Sequence, residues 1–76
     1  MLVIPKQHLT SANELTPENA DVLGKMAVVA RQIAEEHDFA SDGYRLVINT
    51  NRHAGQSVFH LHMHLLAGRY LTWPPG

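Results

Sequence analysis

Three histidines that alternate with aliphatic residues carry the clearest chemical signal in the sequence. His60, His62 and His64 are separated by Leu61 and Met63. Alternate side chains of an extended strand share a face, so this spacing predicts that the three imidazoles line one side of a strand while the aliphatic side chains face a core. An imidazole changes charge near neutral pH and serves as a nucleophile, a proton carrier or a metal ligand.

Three interpretations of this histidine row are open. In the first, a neutral imidazole attacks phosphorus with the lone pair of one ring nitrogen, while the other nitrogen donates its proton to a fixed acceptor. In the second, the histidines bind a metal such as zinc. Successive positions on one straight strand are poorly placed around a tetrahedral ion, and the chain has no cysteine, so we predict no metal site. In the third, the histidines merely face solvent, which their strict alternation disfavours.

The loop before the histidines favours phosphorus chemistry. Gly55 allows a close approach of the backbone, and successive N–H groups around it predict a cradle for phosphate oxygens. Gln56 and Ser57 add polar side chains next to this glycine. Asn49 ends the preceding predicted strand, from which it can donate to the same oxyanion. We therefore expect an anion site beside the histidine row.

The strands that must position these residues follow from hydrophobic patterning. Residues 2–4 are apolar and Pro5 closes the run, which is typical of the end of a buried strand. Residues 44–49 alternate between two faces, as do residues 57–67, and each pattern predicts a strand. Residues 68–76 end in Trp-Pro-Pro-Gly, which cannot continue a sheet because proline has no N–H to donate.

A long helix is predicted between the first and second strands, after a polar loop over residues 7–16. Thr16 as an N-cap and Pro17 in the first turn indicate the start of a helix over residues 17–37. Its apolar residues recur at three- and four-residue spacing, and their stripe is broad. This breadth predicts burial against the sheet and against a second copy of the chain. The residues that widen the stripe are Val22, Val28 and Val29.

These elements predict an α+β fold in which one long helix covers an open layer of about three strands, as a single domain over residues 1–76. The chain has 76 residues and a net charge of −1, which excludes the basic field that non-specific nucleic-acid binding requires. No apolar run is long enough to span a bilayer. The lack of cysteine and of a recognisable signal peptide predicts a reducing compartment, the cytoplasm.

The residues around the histidine row resemble the histidine-triad (HIT) family. Residues 60–66 match its pattern of His-apolar-His-apolar-His-apolar-apolar, and the match extends back through residues 43–49 and 55–59 and forward to the Trp-Pro-Pro-Gly end. The whole chain is similar to the second part of histidine-triad nucleotide-binding proteins of the purine nucleoside phosphoramidase branch. The resemblance implies an antiparallel meander sheet with one long helix, incomplete at its N-terminus.

The resemblance also implies roles for individual residues. His62 is implied as the nucleophile that attacks a purine nucleoside 5′-phosphoramidate, such as adenosine phosphoramidate, and forms a nucleotidyl-histidine that water hydrolyses. His60 is implied to support this nucleophile, partly through its backbone carbonyl, and His64 to lie near the phosphate and the leaving group. In the homodimer that the family forms, Trp73 is implied to approach the partner's active site. No cofactor is implied, and the implied phosphate and nucleotide contacts are Asn49, Gly55, Gln56, Ser57 and Val58.

Two other functions stay open from the sequence. One is a binding module that holds a purine nucleotide or a protein partner with little turnover, and the other is a histidine-bound metal protein. A trapped nucleotidyl-histidine, nucleotide affinity without turnover, and bound zinc would distinguish the three functions.

Overall fold

The computed structural model of the chain covers all 76 residues. It has one α-helix and three strands, with short 3₁₀ helices at Ala12–Glu14 and Arg52–Ala54. This architecture confirms the predicted α+β fold. In chain order the elements are β1 (Leu2–Val3), α1 (Asp21–Glu36), β2 (Tyr44–Val47) and β3 (Met63–Ala67).

The three strands form one antiparallel sheet in the order β1-β3-β2, so the strand that carries His64 lies at the centre. His64 is opposite Leu2 on one side and opposite Val47 on the other, whereas Met63 is opposite Val3. Directly opposed residues share a face of the sheet. His64, Leu2 and Val47 therefore lie on one face, and Met63 and Val3 lie on the other.

The hydrophobic core fills the space between α1 and the second of these faces. Leu61, Met63 and Leu65 are 1%, 3% and 6% exposed, whereas the three histidines that alternate with them are half-buried. This difference confirms the alternation of core and histidine positions. The buried residues of the helix include two alanines, whose small side chains allow a close approach to the sheet; these residues are Met26, Ala30 and Ala34.

The helix begins four residues later than predicted. It starts at Asp21, and Ala20 at the N-cap position makes no side-chain capping bond. Thr16 and Pro17 instead open a turn, in which the Asn19 N–H donates to the Thr16 carbonyl and the Asn19 Oδ1 accepts from the Thr16 N–H at 2.7 Å. The residues that signal a helix start thus form the turn that leads into the helix.

The third strand is shorter than predicted, because it begins at Met63 and not at residue 57. Its partner β1 ends at Val3, two residues before Pro5, which has no N–H to continue the ladder. Before β3 the chain is held by single contacts, such as the bond of 2.6 Å from the Leu61 N–H to the Leu9 carbonyl. His60 and His62 therefore lie in an irregular segment that leads into the strand.

The outer side of α1 exposes apolar side chains. Val28 and Val29 are 47% and 43% exposed. The homodimer stays a prediction. No helix of the chain combines the length and the apolarity that crossing a bilayer requires.

Candidate active site

The main chain determines the tautomer of His62. Its Nδ1 lies 2.7 Å from the carbonyl oxygen of His60. A carbonyl oxygen has no proton, so Nδ1 must carry the hydrogen and donate it. In the neutral ring, Nε2 then holds the free lone pair. The contact orients the imidazole and leaves it with one nucleophilic nitrogen.

A second imidazole lies beside this ring. The centroids of the His62 and His64 rings are 5.1 Å apart, and the two planes are inclined by 73°. His64 lies on β3 and is half-buried, so the sheet holds its backbone while its ring stays accessible. This arrangement places a group that can give or take a proton next to the nucleophilic ring.

The ring of His60 is engaged elsewhere. Its Nε2 donates to the carbonyl of Pro5 at 3.1 Å, and its centroid lies 5.2 Å from the ring of His8. The predicted row is thus divided: His62 contacts His64, whereas His60 contacts His8, for which the sequence suggested no role. Across the chain, no three His, Asp or Glu side chains are grouped so that they could hold a metal ion.

The loop after β2 contains a left-handed turn at Gly55, whose φ is 87°. An added Cβ there would meet no atom of the chain within 4 Å. The positive φ, and not a lack of space, therefore favours glycine at this position. The N–H of Gly55 donates to the Arg52 carbonyl, and the N–H of Gln56 donates to the Asn51 carbonyl. The turn therefore uses the donors that were predicted to cradle phosphate.

Gln56 is buried, and all of its donors have partners. Its Oε1 accepts from the Asn51 N–H at 2.7 Å, and its Nε2 donates to the Thr10 carbonyl at 2.7 Å and to the Val58 carbonyl at 3.1 Å. In this structure Gln56 has no N–H left for the phosphate contact that the sequence suggested. The side chain instead joins three segments of the chain.

Free donors occur immediately after Gln56. Ser57 and Val58 are exposed, and no group of the chain accepts their backbone N–H. The hydroxyl of Ser57 adds a third donor to this segment. The free backbone donors of this loop thus lie two and three residues after Gly55. Asn49 is half-buried and follows Val47, which pairs with His64 at this end of the sheet.

The tail is held against the sheet by Arg45, a residue that the sequence analysis did not single out. The Arg45 Nη2 donates to the Thr72 carbonyl at 3.0 Å, and its guanidinium carbon lies 6.0 Å from the centre of the Trp73 ring. Trp73 itself is 79% exposed. Its approach to a partner's active site stays a prediction.

A concave surface that encloses about 620 Å³ lies at the end of the β2–β3 ladder opposite His64. None of the residues that were predicted to form the site lines it. Its lining includes Phe39, Tyr44, Arg45, Gly68, Arg69 and Tyr70.

Comparisons with known proteins identify the family of the chain. The HIT domain model matches residues 1–71. The purine nucleoside phosphoramidase of Escherichia coli K12 is 51% identical over 71 residues, which are 93% of this chain and 60% of that protein. The chain thus spans about 60% of the length of this curated relative.

Solved structures show the same likeness. A HIT family hydrolase from Legionella pneumophila matches with a TM-score of 0.95 and 41% identity, over 99% of this chain and 67% of its own. A histidine triad protein from Clostridium difficile matches with a TM-score of 0.90 and 38% identity, over 93% of this chain and 62% of its own. The family match, the identity and the shared fold together show that the chain belongs to the HIT family.

Proposed function

We propose that this chain carries the catalytic part of a nucleotidyl hydrolase or transferase, in which His62 cleaves the P–N bond of purine nucleoside 5′-phosphoramidates. The observation that carries the proposal is the contact between the His62 Nδ1 and the His60 carbonyl. It leaves Nε2 with a lone pair and no proton, as a nucleophile requires. The substrate class is supported by the 51% identity to the phosphoramidase of E. coli.

The proposed reaction has two displacements at the α-phosphorus. In the first, the Nε2 lone pair of His62 forms a P–N bond, while the bond from phosphorus to the leaving amine breaks and the amine takes up a proton. In the second, water attacks the nucleotidyl-histidine, the bond to Nε2 breaks, and the proton that the water loses replaces the one given to the amine. One water is consumed, and the products are a nucleoside monophosphate and a free amine.

The His60 carbonyl stabilises the nucleotidyl-histidine intermediate more than it stabilises the resting state. When Nε2 becomes bonded to phosphorus, the ring acquires positive charge, and the hydrogen bond from Nδ1 to the carbonyl becomes charge-assisted. A contact that strengthens along the reaction lowers the barrier instead of only binding the substrate. His64, whose ring is in edge contact with His62, is the proposed proton donor to the leaving amine.

The free N–H groups of Ser57 and Val58 are the proposed donors to the non-bridging phosphate oxygens. They are neutral dipoles that the backbone holds in place, and such groups stabilise charge that develops in a transition state. Asn49 and the Ser57 hydroxyl are proposed to complete this set.

The test is to trap the intermediate. The chain is mixed with adenosine 5′-phosphoramidate, quenched in alkali because P–N bonds to imidazole break in acid, and mapped by mass spectrometry. We expect an adenylyl group on His62, and we expect His62→Ala to abolish it and to slow hydrolysis by at least about 1000-fold.

His37→Ala is the matched control, because His37 is exposed at the end of α1. We expect this variant to form the adduct at the rate of the unchanged chain. Hydrolysis that survives in His62→Ala, or a chain that neither forms the adduct nor turns over the substrate, would contradict the proposal.

A further inference from the structure

We infer that Gln56 is a positioning residue, which holds the N–H groups of Ser57 and Val58 toward the phosphate without touching the substrate itself. The inference rests on the proposed function, and it assigns Gln56 a different task from the direct phosphate contact that the family resemblance implied. Gln56 is only 5% exposed, so its carboxamide is shielded from solvent.

The first support is the place of the two free donors between two anchors. The Gln56 backbone N–H donates to the Asn51 carbonyl, and the Gln56 Nε2 donates to the Val58 carbonyl. The peptide groups that carry the Ser57 and Val58 N–H lie between these two bonds along the chain. Because the Gln56 side chain is bonded to the Val58 carbonyl, it limits the rotation of the two peptide groups that carry the Ser57 and Val58 N–H.

The second support is the backbone of Asn51. Its φ of 68° and ψ of −176° lie in a region that residues other than glycine rarely occupy. Such a conformation persists only where several contacts hold it. The Gln56 Oε1 accepts from the Asn51 N–H, and the Asn51 carbonyl accepts from the Gln56 N–H, so the two residues are bonded in both directions.

The third support is the segment around Thr10, to which the Gln56 side chain is bonded. The second hydrogen of the Gln56 amide is donated to the Thr10 carbonyl. Thr10 is itself held, since its N–H and its hydroxyl both donate to the Glu14 carboxylate. The neighbouring Leu9 carbonyl accepts from the Leu61 N–H, next to His62. Gln56 therefore sets the position of the Ser57 and Val58 N–H groups relative to His62.

The chemistry of the amide makes the inference testable. Gln56→Glu keeps the shape of the side chain, and a carboxylate still accepts from the Asn51 N–H. The carboxylate has no hydrogen to donate to the Thr10 and Val58 carbonyls, so these two carbonyl oxygens face a negative charge without a hydrogen bond. A protonated glutamic acid donates one hydrogen again, and burial raises the pKa of such a carboxyl. The defect should therefore be reversed in mild acid.

The first measurement is the steady-state hydrolysis of adenosine 5′-phosphoramidate across a pH series. In Gln56→Glu we expect kcat to fall by about 10- to 100-fold at neutral pH with a smaller change in KM, as for residues that orient a reacting group. The gap to the unchanged chain should narrow as the pH falls. Gln32→Glu, the same change at an exposed position of α1, should show neither effect.

The second measurement follows binding alone. AMP is titrated into the isotope-labelled chain, and the amide resonances of Ser57 and Val58 are recorded. We expect both to shift in the unchanged chain and in Gln32→Glu, and both shifts to be reduced in Gln56→Glu at neutral pH and restored in acid. Gln56→Met, which is uncharged and of similar length, should lose the shifts at every pH; it serves if the glutamate variant is unfolded at neutral pH.

The outcomes separate the two proposals. If the His62 adduct forms but Gln56→Glu and Gln56→Met match the unchanged chain, the inference is wrong and the proposed function stands. If no adduct forms but the AMP shifts depend on Gln56 as expected, the proposed function is wrong and the positioning role stands. If AMP does not shift the Ser57 and Val58 resonances of the unchanged chain, the inference is overturned.

Discussion

The two ends of the β2–β3 ladder differ in how their polar groups are held. At the histidine end, the bonds from His60 to Pro5 and from Gln56 to Thr10 join residues that are 55 and 46 positions apart in the chain. Both of these bonds are partly buried, whereas the bonds at the other end are exposed: Arg45 donates to the Thr72 carbonyl, 27 positions away, and Arg69 donates to the carbonyl of its neighbour Tyr70, which is 99% exposed. The concave surface of about 620 Å³ lies at this second end.

This difference shows that a concave surface alone does not identify a reactive site. A hollow forms wherever neighbouring segments diverge, and its lining need not be ordered. Catalysis requires lone pairs and donors that are oriented before the substrate arrives, which needs contacts with distant parts of the chain. In this molecule the partly buried contacts between distant residues lie at the histidine end, away from the concave surface.

The largest expected effect concerns proton transfer at the histidine end. We expect His64→Ala to slow hydrolysis by about 100- to 10,000-fold, the usual contribution of a general acid. The loss should be greater for strongly basic leaving amines, which need a proton to depart. Rates measured over a series of amine leaving groups test this.

Tyr70→Phe, at the other end of the ladder, is the control and should leave every rate unchanged. If His64→Ala slowed all substrates equally, His64 would not be the proton donor.

The second effect concerns stability. Leu61 is 1% exposed, and we expect Leu61→Ala to lower the free energy of unfolding by about 2–5 kcal/mol, because it removes buried methyl groups and leaves a cavity. Leu71→Ala, the same change at the half-buried edge of the concave surface, should cost at most about 1 kcal/mol. Urea unfolding gives both values. Equal losses would mean that the two ends are packed equally tightly.

The smallest effect concerns Glu14, which holds Thr10. The hydrogen bonds from the Thr10 side chain and backbone, with the nearby His8, keep the pKa of the Glu14 carboxyl below its usual range. A lowered folded-state pKa stabilises the protein above the unfolded-state pKa, and this contribution is lost as the pH falls through the folded-state value. Since Glu14 is exposed, the effect should be a small shift of the urea midpoint.

We expect Glu14→Gln to be slightly less stable than the unchanged chain at neutral pH and equal to it in acid. Glu36→Gln, on the exposed side of α1, should show no such convergence. A stability difference that grew as the pH fell would contradict the assigned sign.

Local patterns predicted the features that depend on residue spacing. The alternation around His62 correctly separated the core residues Leu61 and Met63 from the histidine positions, because successive side chains of an extended chain point to opposite sides. Element boundaries were less accurate. Thr16 and Pro17 suit a turn as well as the start of a helix, so they did not fix where α1 begins. The start of β3 depends on Pro5, which lies beyond the end of its partner strand β1, and the residue pattern of β3 itself carries no information about that proline.

The hydrogen-bond partners of Gln56 and the left-handed turn at Gly55 were not readable from the chain. Both residues were predicted as phosphate contacts because polar and glycine residues beside a histidine row suit an anion. The structure assigns Gly55 to a left-handed turn and Gln56 to the Thr10 carbonyl, which lies 46 residues earlier. No local pattern carries information about such a partner.

The sequence by itself determined the fold class, the family and the histidine positions, because these depend on the order and periodicity of side chains along the chain. Only the tertiary structure decided which nitrogen of His62 is free, which histidines touch, and which backbone donors face solvent. These properties depend on contacts between segments that packing brings together, and their geometry exists only once the chain is folded.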